Sequence, residues 1–372
     1  MTLRTKPPFR ADHVGSLLRP ETLTAARDSH AKGEITAAEL RAVEDDAIRD
    51  VVRLQEELGL EGITDGEFRR ASWSSDFLKE IKGVTVTAGK FSSSFQRADG
   101  VEINHKPPTM MVTGKLRNPG GIQVADFAFL KSVVKKTPKV SIPSPSMLHF
   151  RGGRDAIDSK AYPDMEEFFA DLAAVYREEL RLLGEAGATY VQFDDTNFAY
   201  LCDPKIREAT RARGEDLDAL PRTYCRLLNE AIRDRPADMS VCVHMCRGNF
   251  RSAWVAEGGY EPVAEVLFNE LDVDGIFMEY DDERSGDFAP LRFVPKGKTI
   301  VLGLLTSKRA QLEPADEIRA RIDEAGKYIA LDQLALSPQC GFSSTAHGNE
   351  LGPDDQAAKL GRIVELAGEL WG

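Results

Sequence analysis

From about residue 135 onward the chain alternates short apolar runs with longer segments whose apolar residues recur every three or four positions. The short runs are Lys139–Ile142, Thr189–Phe193, Met239–His244, Gly275–Glu279, Thr299–Leu304 and Gln333–Ser337. Each is mostly apolar throughout rather than alternating, which suits strands covered on both faces. The segments between them, Met165–Ala186, Leu217–Arg233, Tyr260–Asn269 and Ala315–Ala330, carry one apolar face on good helix formers and predict amphipathic helices. Upstream, Thr36–Leu58 predicts another helix, with Thr36 and Glu39 spaced as a capping box. A short strand follows in the run Gly62-Ile-Thr-Asp-Gly-Glu67.

Adding Arg10–Val14 gives eight candidate strands in a βα rhythm. That rhythm predicts an α/β fold, a closed (β/α)₈ TIM barrel rather than an open doubly wound sheet. Residues 81–117 fit neither element type. Val84–Thr87, the serine-rich Phe91 to Phe95 and Met110–Thr113 alternate and carry turn residues, which predicts a β-hairpin insertion on the barrel. No Gly/Ser- or Pro-rich linker interrupts the chain, so residues 1–372 are expected to form one domain.

Charge narrows the partners. Sixty acidic against 48 basic residues leave a formal charge of −12, which repels nucleic-acid phosphates and anionic lipid. The lysines between Lys131 and Lys139 are interleaved with apolar residues and read as the polar flank of an element leading into a strand. The opening residues are followed by no apolar signal segment, and no run of about 18 apolar residues occurs, so a cytoplasmic protein without a membrane partner is expected. Five cysteines, Cys202, Cys225, Cys242, Cys246 and Cys340, are too few and odd in number for a disulfide framework. A special cysteine here is expected to be a ligand or a nucleophile.

Three strand ends concentrate chemistry. The run Ser240-Val-Cys-Val-His-Met-Cys246 places His244 and Cys246 two apart, on one face at the C-terminal end of a strand, which in a barrel is the active-site mouth. Cys242 shares that parity one step deeper and is expected to fill the barrel interior. The next strand ends in Glu279, and the last run continues as Leu336-Ser-Pro-Gln-Cys340. His, Cys, Glu and Cys form the donor set of a tetrahedral Zn2+ site with one displaceable oxygen ligand. A site carrying two thiolates is a poor Lewis acid toward water and suits thiolate alkylation better than hydrolysis. The His-x-Glu and Pro-Cys-x-x-Cys signature of zinc deaminases is absent.

These residues resemble the catalytic half of cobalamin-independent methionine synthase, a zinc barrel that methylates homocysteine. The resemblance runs over nearly the whole chain. It is carried by His244-Met-Cys246, Met278-Glu279, Pro338-Gln-Cys-Gly341, His13-Val-Gly-Ser16, Asp65-Gly-Glu67 and Phe193-Asp-Asp195. It implies His244, Cys246, Glu279 and Cys340 as zinc ligands, with Glu279 leaving when the substrate thiol arrives. It further implies that Glu67 and Asp194 grip the ammonium of an amino-acid substrate and that the Gly15-Ser16 turn receives its carboxylate. Asp65 and Asp195 read as helix caps. Three departures leave the methyl donor open among methyl-folate, methylcobalamin and others. A chain of 372 residues has no room for the second, N-terminal barrel of the long form, so a short stand-alone form is expected. No histidine lies in Leu304–Lys308, where the family has one, and no tryptophan lies in Pro143–His149 to seat a pterin.

The expected function is thus a methyltransferase of the methionine-biosynthetic kind, similar to 5-methyltetrahydropteroyl-glutamate–homocysteine S-methyltransferases, which activates homocysteine as a zinc thiolate and yields methionine. The alternatives are an epoxyalkane/coenzyme M-type thiol alkyltransferase on the same barrel, kept open by Arg69, Arg70 and Arg247, and a non-catalytic zinc-stabilised binding protein. Trp73, in a loop after Glu67, is a candidate pocket wall. His13 and His149, near predicted strand ends, are candidate proton donors beside Glu279.

Overall fold

The computed structural model describes residues 4–90, 93–97 and 99–372. Phe91 and Ser92, part of the predicted hairpin insertion, lie outside the described residues.

Six parallel strands run side by side in chain order: Val140–Pro143, Tyr190–Asp195, Ser240–Met245, Gly275–Glu279, Thr299–Leu305 and Leu334–Pro338. Each differs from its sequence expectation by no more than two residues at an end. All six are buried along nearly their whole length, as runs apolar on both faces require. Gly62–Ile63 pairs in parallel with Thr137–Pro138, and Lys139 N then donates to Ile63 O, so the two-stranded piece continues into the first strand of the six. On the far edge Ala11 bridges Leu336 in parallel, with Asp12 N on Leu336 O at 3.0 Å and Leu336 N on Arg10 O at 2.8 Å. The eight positions close a (β/α)₈ barrel.

The strand expected at Arg10–Val14 is reduced to that single bridge. Asp12 accounts for it, because its carboxylate accepts from the backbone N–H groups of Phe9 and His13 and so removes them from any ladder. Between residues 11–17 and 62–66 the barrel is joined instead by Leu17 N on Gly66 O and Thr64 Oγ1 on Gly15 O.

The predicted helices form as Ala37–Glu57, Met165–Glu185, Ala219–Ile232, Glu261–Glu270 and Ala315–Ala325, and the Thr36/Glu39 capping box is made in both directions. Helices at Glu21–Ala31, Val124–Val133 and Pro204–Ala212 were not expected. The second is apolar nearly all round and lacks the periodicity that betrays a surface helix, whereas the third is amphipathic but only nine residues long. The closing helix, Pro353–Trp371, buries Leu360, Ile363, Leu366 and Trp371 against the barrel.

The insertion is two nested hairpins: Lys82–Thr87 pairs antiparallel with Thr109–Arg117, and Ser93–Gln96 with Glu102–His105. The inner hairpin reaches across the barrel mouth, where Gln96 and Trp254 exchange backbone hydrogen bonds at 2.7 and 2.9 Å. Inside the barrel, Phe9, Val14, Tyr190, Cys242, Phe277, Val301 and Ala335 pack as one cluster, which puts Cys242 in the interior as expected. No helix among the described residues is long and apolar enough to cross a membrane.

Candidate metal centre and substrate pocket

Parallel strands with βα crossovers deliver their C-terminal ends to one rim. His244 lies near the end of its strand and Cys246 just past it, Glu279 is the last residue of the next strand, and Cys340 lies two residues beyond Leu334–Pro338. One candidate ligand atom from each of His244, Cys246, Glu279 and Cys340 lies within 4.8 Å of all the others, and all four side chains are buried.

The site's own polar atoms test whether a metal fits. Both ring nitrogens of His244 and Oε2 of Glu279 have no hydrogen-bond partner, although they are fully buried. Buried polar atoms are nearly always paired, so unpaired atoms on side chains this close together leave room for a cation. Cys246 Sγ and Cys340 Sγ are 3.5 Å apart. Two sulfurs bound to one tetrahedral zinc at about 2.3 Å stand ~3.8 Å apart. The hydrogen bond that the two sulfurs share holds the Cys340 thiol well below the usual thiol range and pushes Cys246 well above it. The backbone N–H of Gly248 already points at Cys246 Sγ, 3.3 Å away. The residues therefore fit Zn2+.

Above these atoms lies a pocket of about 70 Å³. Ser16, Glu67, Asp194, His244, Cys246 and Cys340 line its deep part. Glu67 stands in a turn forced by Asp65-Gly66: Asp65 Oδ1 accepts from Glu67 N at 2.8 Å, and Glu67 takes φ 60°, the left-handed region that a non-glycine residue adopts only under strain. The preceding loop cooperates. A Cβ on Gly15, at φ +144°, would come within 3.1 Å of Ser141 Oγ and 3.4 Å of Glu67 Oε1. Ser141 Oγ donates to Glu67 Oε1 at 3.0 Å, and Gln192 Nε2 to Asp194 Oδ1 at 2.7 Å. Burial, reinforced by the charge of Glu67, raises the Asp194 carboxyl to about 7, and burial raises Glu67 as well. Two buried carboxyl groups that each disfavour the other's charge form a site for a cation.

The sequence-named residues separate here. Ser16, Glu67, Trp73 and Asp194 line the pocket together with three of the four candidate ligands, and Gly15 lies directly behind Glu67. Glu279 completes the ligand set from below. His13 and His149 are not brought to it. His13 turns toward the barrel wall, with Nε2 3.2 Å from Gly62 O, and burial and the Lys139 charge push it down to about 4. His149 sits among Phe168, Phe169 and Tyr224 with Nδ1 2.9 Å from the Tyr224 hydroxyl, and burial pushes it down to about 4. Both are neutral at pH 7, away from the pocket, and occupied by structural contacts. Asp195 acts as a cap, its Oδ1 accepting from the N–H groups of Asn197 and Phe198, whereas Asp65 braces a turn rather than a helix, since no helix follows until Ser75–Leu78.

The outer part of the pocket was not foreseen. Phe95 and His105 come from the inner hairpin, Tyr200, Asn249 and Phe250 from loops after barrel strands, and Arg151 from the turn after Met147–Phe150. His105 stacks on Phe250 with ring centroids 4.4 Å apart. Nothing local in an insertion announces that its tip folds back over a distant site. Tyr200 and Asn249 follow strand ends, and the rule that located the metal ligands could have flagged them.

Residues 9–368 match the family described as cobalamin-independent synthase, catalytic domain. The chain belongs to this family. It is 45% identical over 371 residues to the uncharacterized protein YxjH of Bacillus subtilis, covering 98% of this chain and 96% of that one. It is 24% identical over 343 residues to a 5-methyltetrahydropteroyltriglutamate–homocysteine methyltransferase assignment in Schizosaccharomyces pombe, and spans 40% of that longer protein. Among solved structures, a candidate vitamin-B12 independent methionine synthase from Listeria monocytogenes is 38% identical and superposes with a TM-score of 0.79 over 99% of this chain and 100% of that one. A B12-independent methionine synthase from Shewanella sp. W3-18-1, at 20% identity and a TM-score of 0.69 over 97% of each chain, shares the fold. The expected enzyme class, methyltransferase, is the class of the family's named members.

Proposed function

We propose that this protein is a zinc-dependent methyltransferase that methylates the thiol of homocysteine to give methionine. The observation that carries the reading is the placement of a buried carboxyl pair, Glu67 and Asp194, in the same pocket as the candidate ligands His244, Cys246 and Cys340. Zinc, when bound, lowers the pKa of an incoming thiol and holds it as a nucleophile at neutral pH.

The protein residues do the rest. Glu67 and Asp194 take the substrate ammonium, which favours ionisation of both and offsets the cost of burying their charge. Ser16, at the Gly15 turn, faces the substrate carboxylate. With one end of the amino acid held there, its sulfur would reach toward Cys246 and Cys340, and Glu279 is the residue that would give way to it. The methyl donor occupies the outer pocket among Trp73, Phe95, His105, Tyr200 and Phe250. The new S–CH₃ bond forms as the donor's bond to the methyl group breaks, and fixing both reactants supplies much of the acceleration. The aromatic lining accepts a flat donor such as a methyl-folate and also a methylated cation.

The thiol-alkylating alternative that recognises a sulfonate needs cations where the acids stand. Arg69 is engaged by Asp45 and Asp126, Arg70 by Gln123 and the Ser141 carbonyl, and Arg247 packs on the Tyr260 ring. None of the three lines the pocket. A metal assay is expected to find about one zinc per chain. Homocysteine is expected to turn over with one of a panel of methyl-folates, methylcobalamin and small sulfonium compounds. Full turnover after complete removal of metal would sink this reading.

A further inference from the structure

Three lysines are buried among the described residues, and two of them are fully paired. Lys139 Nζ donates to Asp12 Oδ1 and the His13 carbonyl, and Lys359 Nζ to Glu313 Oε2 and the Gln311 carbonyl. Lys308 is the exception. It is 4% exposed, and its Nζ has no hydrogen-bond partner. A buried ammonium without an anion is among the costliest groups a protein can hold, so its charge is expected to be met at some stage of the working cycle.

Its place suggests when. Lys308 follows the strand Thr299–Leu305, which lies between the strands that carry Glu279 and Cys340. It lines a cleft of about 220 Å³ together with Arg284, Asp282, Trp254, Ser252 and Thr306. Arg284 is held by Asp281 and Asp282 and by the Trp254 ring, and its Nη2 stands 3.8 Å from Glu279 Oε2, too far for a hydrogen bond. Glu279 pairs in register with Gly303, in the strand that leads to Lys308, and Lys308 and Arg284 line the same cleft. The Glu279 backbone cannot travel: its N–H donates to the Tyr260 hydroxyl, which donates back to the Glu279 carbonyl. Only the side chain can move: Oε1 accepts from the Arg247 N–H at 3.2 Å, while Oε2, the oxygen nearer Arg284, is without a partner.

We propose that Lys308, with Arg284, is the landing site of the Glu279 carboxylate when the substrate thiol takes its place among the ligands. This rests on the function proposed above. The charges balance: the thiol's proton passes to solvent water at the pocket mouth, the thiolate takes the place of the carboxylate, and the freed carboxylate meets the waiting ammonium. Lys308 is in this sense a positioning residue, which favours the exchange without touching the substrate. A lone buried carboxylate released from a metal would otherwise resist leaving.

Zinc-edge X-ray absorption on the zinc-loaded protein, titrated with homocysteine, tests the idea. The native protein is expected to gain one sulfur neighbour. Lys308→Met is expected to keep its zinc but to require at least about ten-fold more homocysteine for the same change, as loss of one charge-assisted contact implies, and Lys308→Arg to restore most of the affinity. In a Glu279→Ala background Lys308→Met should have no effect on the midpoint, because no carboxylate remains to be received. An unchanged midpoint in Lys308→Met, alongside a sulfur gain in the native protein, overturns the landing site and leaves the proposed function standing. Absence of sulfur gain in the native protein overturns both. Should Lys308→Met fail to accumulate as folded protein, Lys308→Gln carries the same comparison.

Discussion

The two ends of the barrel bury charged groups under opposite rules. At the N-terminal end of the strands, Lys139 and Asp12 are 2.9 Å apart with side chains fully buried. Asp12 also accepts from the Tyr190 hydroxyl and two backbone N–H groups, and the lysine lies between the rings of Tyr190 and Phe277. At the C-terminal end, His244, Glu279 Oε2 and Lys308 Nζ are as deeply buried and have no partners. One end is a closed account of charge that needs nothing from outside. The other leaves buried polar atoms open to partners from outside, which under the proposed function are a metal and a substrate. Strain follows the same division, since the left-handed Glu67 stands at the open end.

The sharpest way to break this comparison is to remove a ligand. Cys340→Ser, or Cys246→Ser, is expected to lose the metal and to lower turnover by about a thousand-fold or more, as measured by metal content and homocysteine methylation. Retention of both metal and activity would remove the distinction between the two ends.

Next in size is an attack on the closed end. Asp12→Asn leaves Lys139 buried without its partner and is expected to cost about 3–5 kcal/mol of stability, read from denaturant unfolding. Zinc stoichiometry in the folded fraction should not change. If instead stability is untouched and metal is lost, the N-terminal end is not the independent structural plug described above.

A smaller effect should come from the acid pair. Asp194 has its carboxyl raised to about 7, so the folded protein holds a proton that the unfolded chain has lost above about 4. By linkage this group's contribution to stability falls as pH rises between those limits, and the ammonium of the substrate compensates by binding the ionised form. The KM for homocysteine should therefore fall as pH rises through 7. Asp194→Asn should flatten that dependence and raise KM by about ten- to a hundred-fold. An unaltered pH profile would show that Asp194 does not hold the substrate.

The smallest change is expected at His149. His149→Gln should shift stability but keep kcat within about three-fold and leave the pH–rate profile in place, because the ring is committed to Tyr224 and not to the pocket. A lost limb in that profile would return His149 to the chemistry.

Much of this was legible along the chain because it is written locally. The six consecutive strands and five amphipathic helices follow from hydrophobic period alone, and the rule that barrel strands present their C-terminal ends to the site brings His244, Cys246, Glu279 and Cys340 together from positions almost a hundred residues apart. Lys308 obeys the same rule and was passed over, since Leu304–Lys308 was read only for the absence of a histidine. The strand at Arg10–Val14 was overread because nothing in its apolar pattern discloses that Asp12 takes the N–H groups a ladder needs.

What the sequence by itself determined is therefore the barrel, its strand order and the side chains of the candidate metal centre, all set by short continuous apolar runs, by period-3.6 patterning and by residue chemistry at strand ends. Tertiary structure alone decided which polar groups find partners. It satisfied Lys139, sent His13 and His149 to the wall and the helical layer, and folded the tip of a remote hairpin over the mouth. It also left Lys308 waiting beside Glu279. Those outcomes depend on distances between side chains far apart in the chain, and no local pattern encodes them.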